Sequence, residues 1–215
     1  MRIKWLGLAS FLITTDDGTK IVTDPYQTGG ELAYGEIRER ADIVTVSHDH
    51  FDHNNVGAIQ GNPEVLKKPG QFKVKAIGFQ GIASLHDDVG GRARGKNNIF
   101  CFNVDGMRIC HLGDLGHALR GEHISGIGSV DILLIPVGGV YTIDARMATV
   151  ICEQLNPKIV IPMHYRDGKC NFPISTVDNF LKDKKNVRRL DSSNIEIRKE
   201  ELPATTEVVV LKSAL

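Results

Sequence analysis

The chain lacks any apolar run approaching the roughly 20 residues that span a bilayer, so a helical membrane anchor is not expected. Its opening, Met1-Arg2-Ile3-Lys4-Trp5-Leu6, alternates like a strand and lacks the long apolar stretch and cleavage site of a secretory leader. An excess of either charge is also missing, because 26 basic residues balance 26 acidic ones. Nucleic-acid binders draw most of their affinity from phosphate contacts and carry a basic surplus. A small-molecule substrate is therefore expected rather than a polyanion. The four cysteines, Cys101, Cys110, Cys152 and Cys170, form no C-x-x-C pair, which points to reduced thiols in a cytoplasmic protein. No low-complexity segment, charge block or Ser/Pro-rich linker divides the sequence, so residues 1–215 read as one domain.

What is present is enough apolar material for a core: 41% of residues are hydrophobic, close to the globular average. Short apolar runs bounded by turn signals predict strands at Ile3–Leu6, Phe11–Thr15, Lys20–Thr23 and Ile43–Val46. Further strands are expected over Phe72–Phe79, Ile99–Val104, Met107–Leu112, Asp131–Val137, Lys158–Met163, Ile195–Lys199 and Val208–Lys212. Helical spacing marks Ala145–Leu155, with Asp144 as its cap, and Ser175–Lys182. Many strands and few amphipathic helices predict sheets covered by helices, an α/β (α+β) architecture.

The chemistry concentrates in Ser47-His48-Asp49-His50-Phe51-Asp52-His53, directly after the β-branched run Ile43–Val46. Three imidazoles and a carboxylate at this density are what a divalent metal requires, and a solvated polar loop has no need of them. Residues two apart, such as His48 and His50, can face the same way on extended chain, whereas the neighbours Asp52 and His53 diverge. That pair would more easily serve a second ion. Further donors follow other predicted strands: His86, Asp114 and His164 each stand where a strand ends, the usual place for a site in a layered α/β protein.

The array His48-x-His50-x-Asp52-His53, followed in order by His86, Asp114 and His164, resembles the metal signature of metallo-β-lactamase-fold hydrolases. Several phrases resemble one branch, the L-ascorbate-6-phosphate lactonase-like hydrolases. These are Trp5-Leu6-Gly7 with Ala9-Ser10, Thr23-Asp24-Pro25, Arg94-Gly95-Lys96-Asn97, the stretch from His111 to His117, and Pro136-Val137-Gly138-Gly139. One departure is Leu8, where many relatives carry a histidine that is not a metal ligand. The resemblance implies a four-layer αββα sandwich with a binuclear metal site at the sheets' shared edge. By that likeness His48, His50 and His86 hold one ion, while Asp52, His53 and His164 hold another, and Asp114 bridges them. Zinc is the expected metal and manganese the alternative.

The implied reaction is hydrolysis of a small anionic substrate, a lactone or a phosphorylated metabolite, with Asp52 and Asp114 as the catalytic carboxylates. A bound divalent ion lowers the pKa of water from about 15.7 to about 7, so a metal-bound hydroxide is the expected nucleophile. Asp24 would orient the metal loop through hydrogen bonds or simply cap a turn. His111 and His117, flanking Asp114, could support the ligands or donate a proton, but a purely structural role is the favoured reading for both. The glycine-rich loop after His86 offers Arg94 and Asn97 as substrate contacts, and Tyr141 follows another strand end. Two other activities of the fold are phosphodiester cleavage of nucleic acid and di-iron redox chemistry. Balanced charge argues against the first, and His50, where redox relatives carry a glutamate, against the second. A non-catalytic metal-binding regulator is a further class, which the complete ligand set disfavours.

Overall fold

The computed structural model describes residues 1–215. Its strands are β1 (Arg2–Gly7), β2 (Ser10–Thr14), β3 (Lys20–Thr23), β4 (Ile43–Thr45), β5 (Glu64–Leu66), β6 (Gly70–Val74) and β7 (Ile77–Leu85). They continue as β8 (Lys96–Val104), β9 (Met107–His111), β10 (Ile132–Pro136), β11 (Ile159–Met163), β12 (Val187–Arg189), β13 (Asn194–Glu196) and β14 (Glu207–Val210). The α-helices are α1 (Gly121–Ile127), α2 (Ala145–Leu155) and α3 (Asp178–Leu181). A six-stranded sheet has the order β13-β1-β2-β3-β4-β5, and an eight-stranded sheet runs β12-β14-β11-β10-β9-β8-β7-β6.

Side-chain alternation in the first sheet sorts residues to two cores. Ile3, Trp5, Phe11, Ile13, Ile21 and Ile43 face the second sheet and join a cluster of 47 buried residues. Leu12, Val22 and Val44, from the same strands, face the other way into a cluster of 15. There they are covered by Tyr26, Leu32, Tyr34 and Ile37, from the irregular chain between β3 and β4. The second sheet is buried on both faces at its centre, so every residue of β10 and β11 is buried. Their unbroken Ile/Leu/Val runs follow from that two-sided burial.

Strands β9, β10 and β11 are parallel neighbours, and α1 and α2 carry the crossovers between them. Helix α2 begins as its sequence implies: the Asp144 carboxylate accepts the Met147 N–H at 2.8 Å. Its stripe of Ala148, Ile151 and Leu155 is buried in the larger core. It stops at Asn156, which takes a left-handed φ of +45° just before Pro157.

Several expectations need correction. Phe72–Phe79 is not one strand but a hairpin, with Val74 paired to Ile77 and Lys75 at a φ of +53°. The reversal uses Lys75-Ala76 and carries none of the usual Gly, Asn or Asp turn chemistry. The helix expected over Ser175–Lys182 narrows to Asp178–Leu181, because the Ser175 N–H is drawn to the Gly138 carbonyl at 2.8 Å. The last two strands shift to Asn194–Glu196 and Glu207–Val210, and Lys199–Glu201 becomes a 3-10 turn. Strands β5 and β12, of three residues each, and helix α1, of seven, are too short to show a period. Cys101 and Cys110, nine residues apart, become register partners whose Sγ atoms lie 3.3 Å apart. No helix is long and apolar enough to cross a membrane.

Candidate metal centre

Four strand ends build the site. β4 leads through Val46 and Ser47 to His48, β7 ends just before His86, β9 ends three residues before Asp114, and β11 ends just before His164. β7 and β9 are both antiparallel to β8, and β9 is parallel to β10 and β11. All three therefore terminate on the same edge of the second sheet.

The side chains converge on Asp114. Its Oδ2 lies 3.2 Å from Nε2 of His53, 3.2 Å from Nε2 of His164 and 3.3 Å from Nε2 of His86. Nε2 of His48 is 4.0 Å from the same oxygen, and Asp52 Oδ2 is 3.5 Å from His53 Nε2. Ligand atoms of His48, His50 and His86 lie within 4.8 Å of one another, and those of Asp52, His53 and His164 form a second such group. All seven sequence-predicted ligands meet at one centre. Asp114 Oδ1 and His53 Nε2 are buried there with no hydrogen-bond partner. Such orphaned groups cost about 1–3 kcal/mol each unless something satisfies them, as a cation held among these donors would. Imidazole nitrogens with carboxylate oxygens are a donor set suited to a borderline divalent metal.

Electrostatics point the same way. Burial opposes ionisation of Asp114, but His164 and His53 outweigh it and hold the carboxyl well below its ordinary range. Burial likewise acts against Asp52, and His53 overrides it, bringing the group to about 2. Burial and the neighbouring His53 push His48 down to about 3, and burial lowers His86. Ionised carboxylates among neutral imidazoles are the state a metal ion binds. His53 is the exception: burial opposes its charge, but Asp114 and Asp52 outweigh it and hold the ring well above the ordinary imidazole range, so metal binding there would release a proton.

The faces of the rings turned away from the centre are also held. Asp24 is fully buried, with Oδ1 accepting the Ser47 N–H at 2.7 Å and Oδ2 accepting His53 Nδ1–H at 2.9 Å. The Ser47 hydroxyl donates to Asp24 Oδ2 and accepts His48 Nδ1–H at 2.9 Å. Both histidines thus turn Nε2 toward the centre, where His48 Nε2 lies 3.0 Å from His50 Nδ1. This is more than a turn cap, and it brings in Ser47, which sequence reasoning passed over.

Asn97, expected as a substrate contact, has its side-chain amide committed to the fold. It is fully buried, with its amide donating to Ser84 Oγ and the Leu112 carbonyl while Oδ1 accepts the Asp114 N–H at 2.9 Å. Asn98, also overlooked, donates from N and Nδ2 to the Ser47 carbonyl at 2.9 and 2.8 Å. His111 donates from Nε2 to the Ala9 carbonyl and accepts the Gly113 N–H at Nδ1. His117 accepts the Leu85 N–H at Nε2 and donates from Nδ1 to the Ala118 carbonyl. Both rings brace the ligand-bearing turns, and with both nitrogens engaged neither supplies a proton donor. Leu8 is fully buried in the smaller core, and it is its carbonyl that serves the site, accepting the His164 N–H at 3.0 Å.

Gly113 sits where these supports meet. Its φ is +56°, and a Cβ there would stand 2.4 Å from Asn97 Oδ1 and 2.5 Å from Ser47 Cβ. Gly113→Ala is therefore expected to cost at least about 2 kcal/mol, combining left-handed strain with displacement of two buried groups. Urea unfolding checks the stability, and metal content should fall with it.

The glycine-rich loop is a built structure. Asp87 accepts the N–H groups of Val89 and Gly91 on one oxygen and of Ala93 and Arg94 on the other, at 2.7–3.0 Å. Burial opposes its charge, but these four amides hold its carboxyl at about 2. Arg94 is fixed with its guanidinium carbon 5.3 Å from the Tyr141 ring centre, and that ring lies 5.7 Å from Phe172. Arg94, Tyr141, Phe172 and Phe51 line a cavity of about 610 Å³ that opens onto His86, Asp114 and His164.

Comparison with known proteins agrees with this geometry. The profile of the Beta-lactamase superfamily domain matches residues 2–164. A UPF0173 metal-dependent hydrolase of Pelotomaculum thermopropionicum is 33% identical over 194 residues, covering 77% of this chain and 84% of the relative. Another, from Archaeoglobus fulgidus, is 29% identical over 207 residues, covering 83% and 87%. A crystal structure of a candidate Zn-dependent hydrolase from Thermotoga maritima superposes with a TM-score of 0.81 at 36% identity, covering 98% and 97% of the two chains. The chain is a metal-dependent hydrolase of the metallo-β-lactamase superfamily and belongs to the UPF0173 family.

Proposed function

We propose that the chain hydrolyses a small anionic substrate, a lactone or a phosphorylated metabolite, with two divalent ions at the centre. The observation that carries this reading is the Asp114 oxygen within 3.2–3.3 Å of three imidazole Nε2 atoms, with a triad of donors on either side. His48, His50 and His86 would hold one ion, Asp52, His53 and His164 the other, and Asp114 both. Zinc suits the imidazole-rich set best, and manganese is the alternative. Bound ions supply Lewis acidity and activate water at neutral pH.

The chain's own residues do the rest. Asp52 lines the cavity beside Asp114 and would take a proton from the attacking water. Arg94, locked by Asp87 and Tyr141, faces the same cavity and clamps an anionic oxygen. Tyr141 and Phe172 give the organic part of the substrate an aromatic wall. The unpaired thiols suit a reducing compartment such as the cytoplasm.

The test is to load the protein with zinc or manganese and screen lactones, phosphodiesters, phosphomonoesters and thioesters. Turnover is expected on an anionic lactone or phosphate ester, and Asp52→Ala should remove it. Arg94→Ala should raise KM for that substrate at least about tenfold with a smaller change in kcat, the signature of lost binding. Undiminished activity in metal-free protein would contradict the reading.

A further inference from the structure

A second cavity, also of about 610 Å³, opens on the other side of His50. It shares Asp49, His50 and Arg94 with the aromatic cavity and is also lined by His48. Its remaining character is cationic: Lys67 and Lys68, between β5 and β6, and Lys96, at the start of β8, line it together with Arg94. None of the four groove cations is paired with a carboxylate; other basic residues, such as Lys182, Lys185 and Lys199, share that state, but these four line one groove. Lys67 instead donates to the neutral Asn54 side chain, and Arg94 lies over Tyr141. The groove's one carboxylate, Asp49, accepts from Asn54 Nδ2 at 2.9 Å.

Four positive charges facing a single carboxylate, in a chain of zero net charge, repel one another and make a site for an anion. The groove is also held in place. Asn98, at its floor, donates to the carbonyls of both Ser47 and Lys67 and so fixes the lysine-bearing segment against the metal loop. By contrast the aromatic cavity, apart from the candidate metal ligands, sets Glu31 and Asp49 against Arg94 alone. Negative charge on a substrate therefore belongs on the lysine side.

We propose that this groove is a second subsite, which binds a phosphate group of the substrate held apart from the bond that is cleaved. The proposal rests on the hydrolase reading and adds to it which side of the centre the anionic end occupies. Lysines act as point charges and suit the several oxygens of a phosphate, whereas a lone carboxylate would favour a bidentate arginine.

The experiment is calorimetric titration of the zinc-loaded protein with inorganic pyrophosphate, comparing wild type with K67A/K68A/K96A. The changed residues are exposed, so the fold is retained, and K182A/K185A/K199A removes the same charge from exposed positions away from the groove. The groove variant should bind pyrophosphate at least tenfold more weakly, and the control should stay within twofold of wild type. The wild-type affinity should also fall as salt rises. Equal affinity in wild type and groove variant would overturn the subsite. Dependence on the lysines for tricarballylate but not for pyrophosphate would overturn the phosphate assignment. Lysine-dependent binding of a short oligonucleotide more tightly than pyrophosphate would overturn the small-molecule assignment. Binding is read without turnover, so failure of the hydrolase reading and failure of the subsite give different results.

Discussion

Asp114→Ala is expected to strip the protein of metal and abolish hydrolysis while leaving a folded chain. Residues that only support a metal ligand typically contribute roughly 10- to 100-fold in affinity or activity. Asp114 is the oxygen on which three imidazoles converge at 3.2–3.3 Å, with a fourth at 4.0 Å, so its loss should exceed that range. Removing it also removes the negative charge that would offset two cations at one centre. Asp114→Asn keeps the volume and one oxygen but not the charge. It should retain the wild-type circular dichroism spectrum and still lose metal on gel filtration. Wild-type metal content in both variants would show that the two donor groups work independently of the shared carboxylate.

Asp24→Ala should be nearly as damaging through a different route. Asp24 touches no ligand-facing nitrogen, yet it accepts from the Ser47 amide and hydroxyl and from His53 Nδ1, all buried. Deleting one partner of a buried charged pair costs about 3–5 kcal/mol, because the groups left behind find neither water nor a substitute. Freed of Asp24, the His53 ring can rotate or change tautomer, and His48 loses the fixed orientation of Ser47. Zinc affinity is then expected to fall roughly 10- to 100-fold. Urea unfolding of the metal-free chain reads the first effect and competitive zinc titration the second. Unchanged values in both would return Asp24 to the role of a turn cap.

The convergence of the candidate metal ligands was legible because a strand end is a local pattern: an apolar run, then a histidine or aspartate. This held for His48 after β4, His86 after β7, Asp114 after β9 and His164 after β11. The supports were not legible, because their partners are distant in sequence. Asn98 reaches back 51 residues to Ser47, and His111 reaches 102 residues to Ala9. Asn97 looked like a substrate contact because it follows a basic, glycine-rich loop. Strand β8 begins one residue earlier, and its pleat turns Asn97 inward against Ser84 and Leu112. In the fold, strands with β-branched runs and the capped helix α2 were read correctly. The Lys75 hairpin was missed because Lys75-Ala76 carries none of the usual turn residues, although the β6–β7 pairing around it is local.

The claim beneath all of this is that seven side chains hold two cations. The most direct measurement is anomalous diffraction from crystals of the zinc-loaded protein. Two peaks are predicted, at about 2.0–2.2 Å from their protein nitrogen and oxygen donors. One should contact His48, His50 and His86, the other Asp52, His53 and His164, with Asp114 reaching both. A single peak, or zinc bound away from Asp114, would contradict the account.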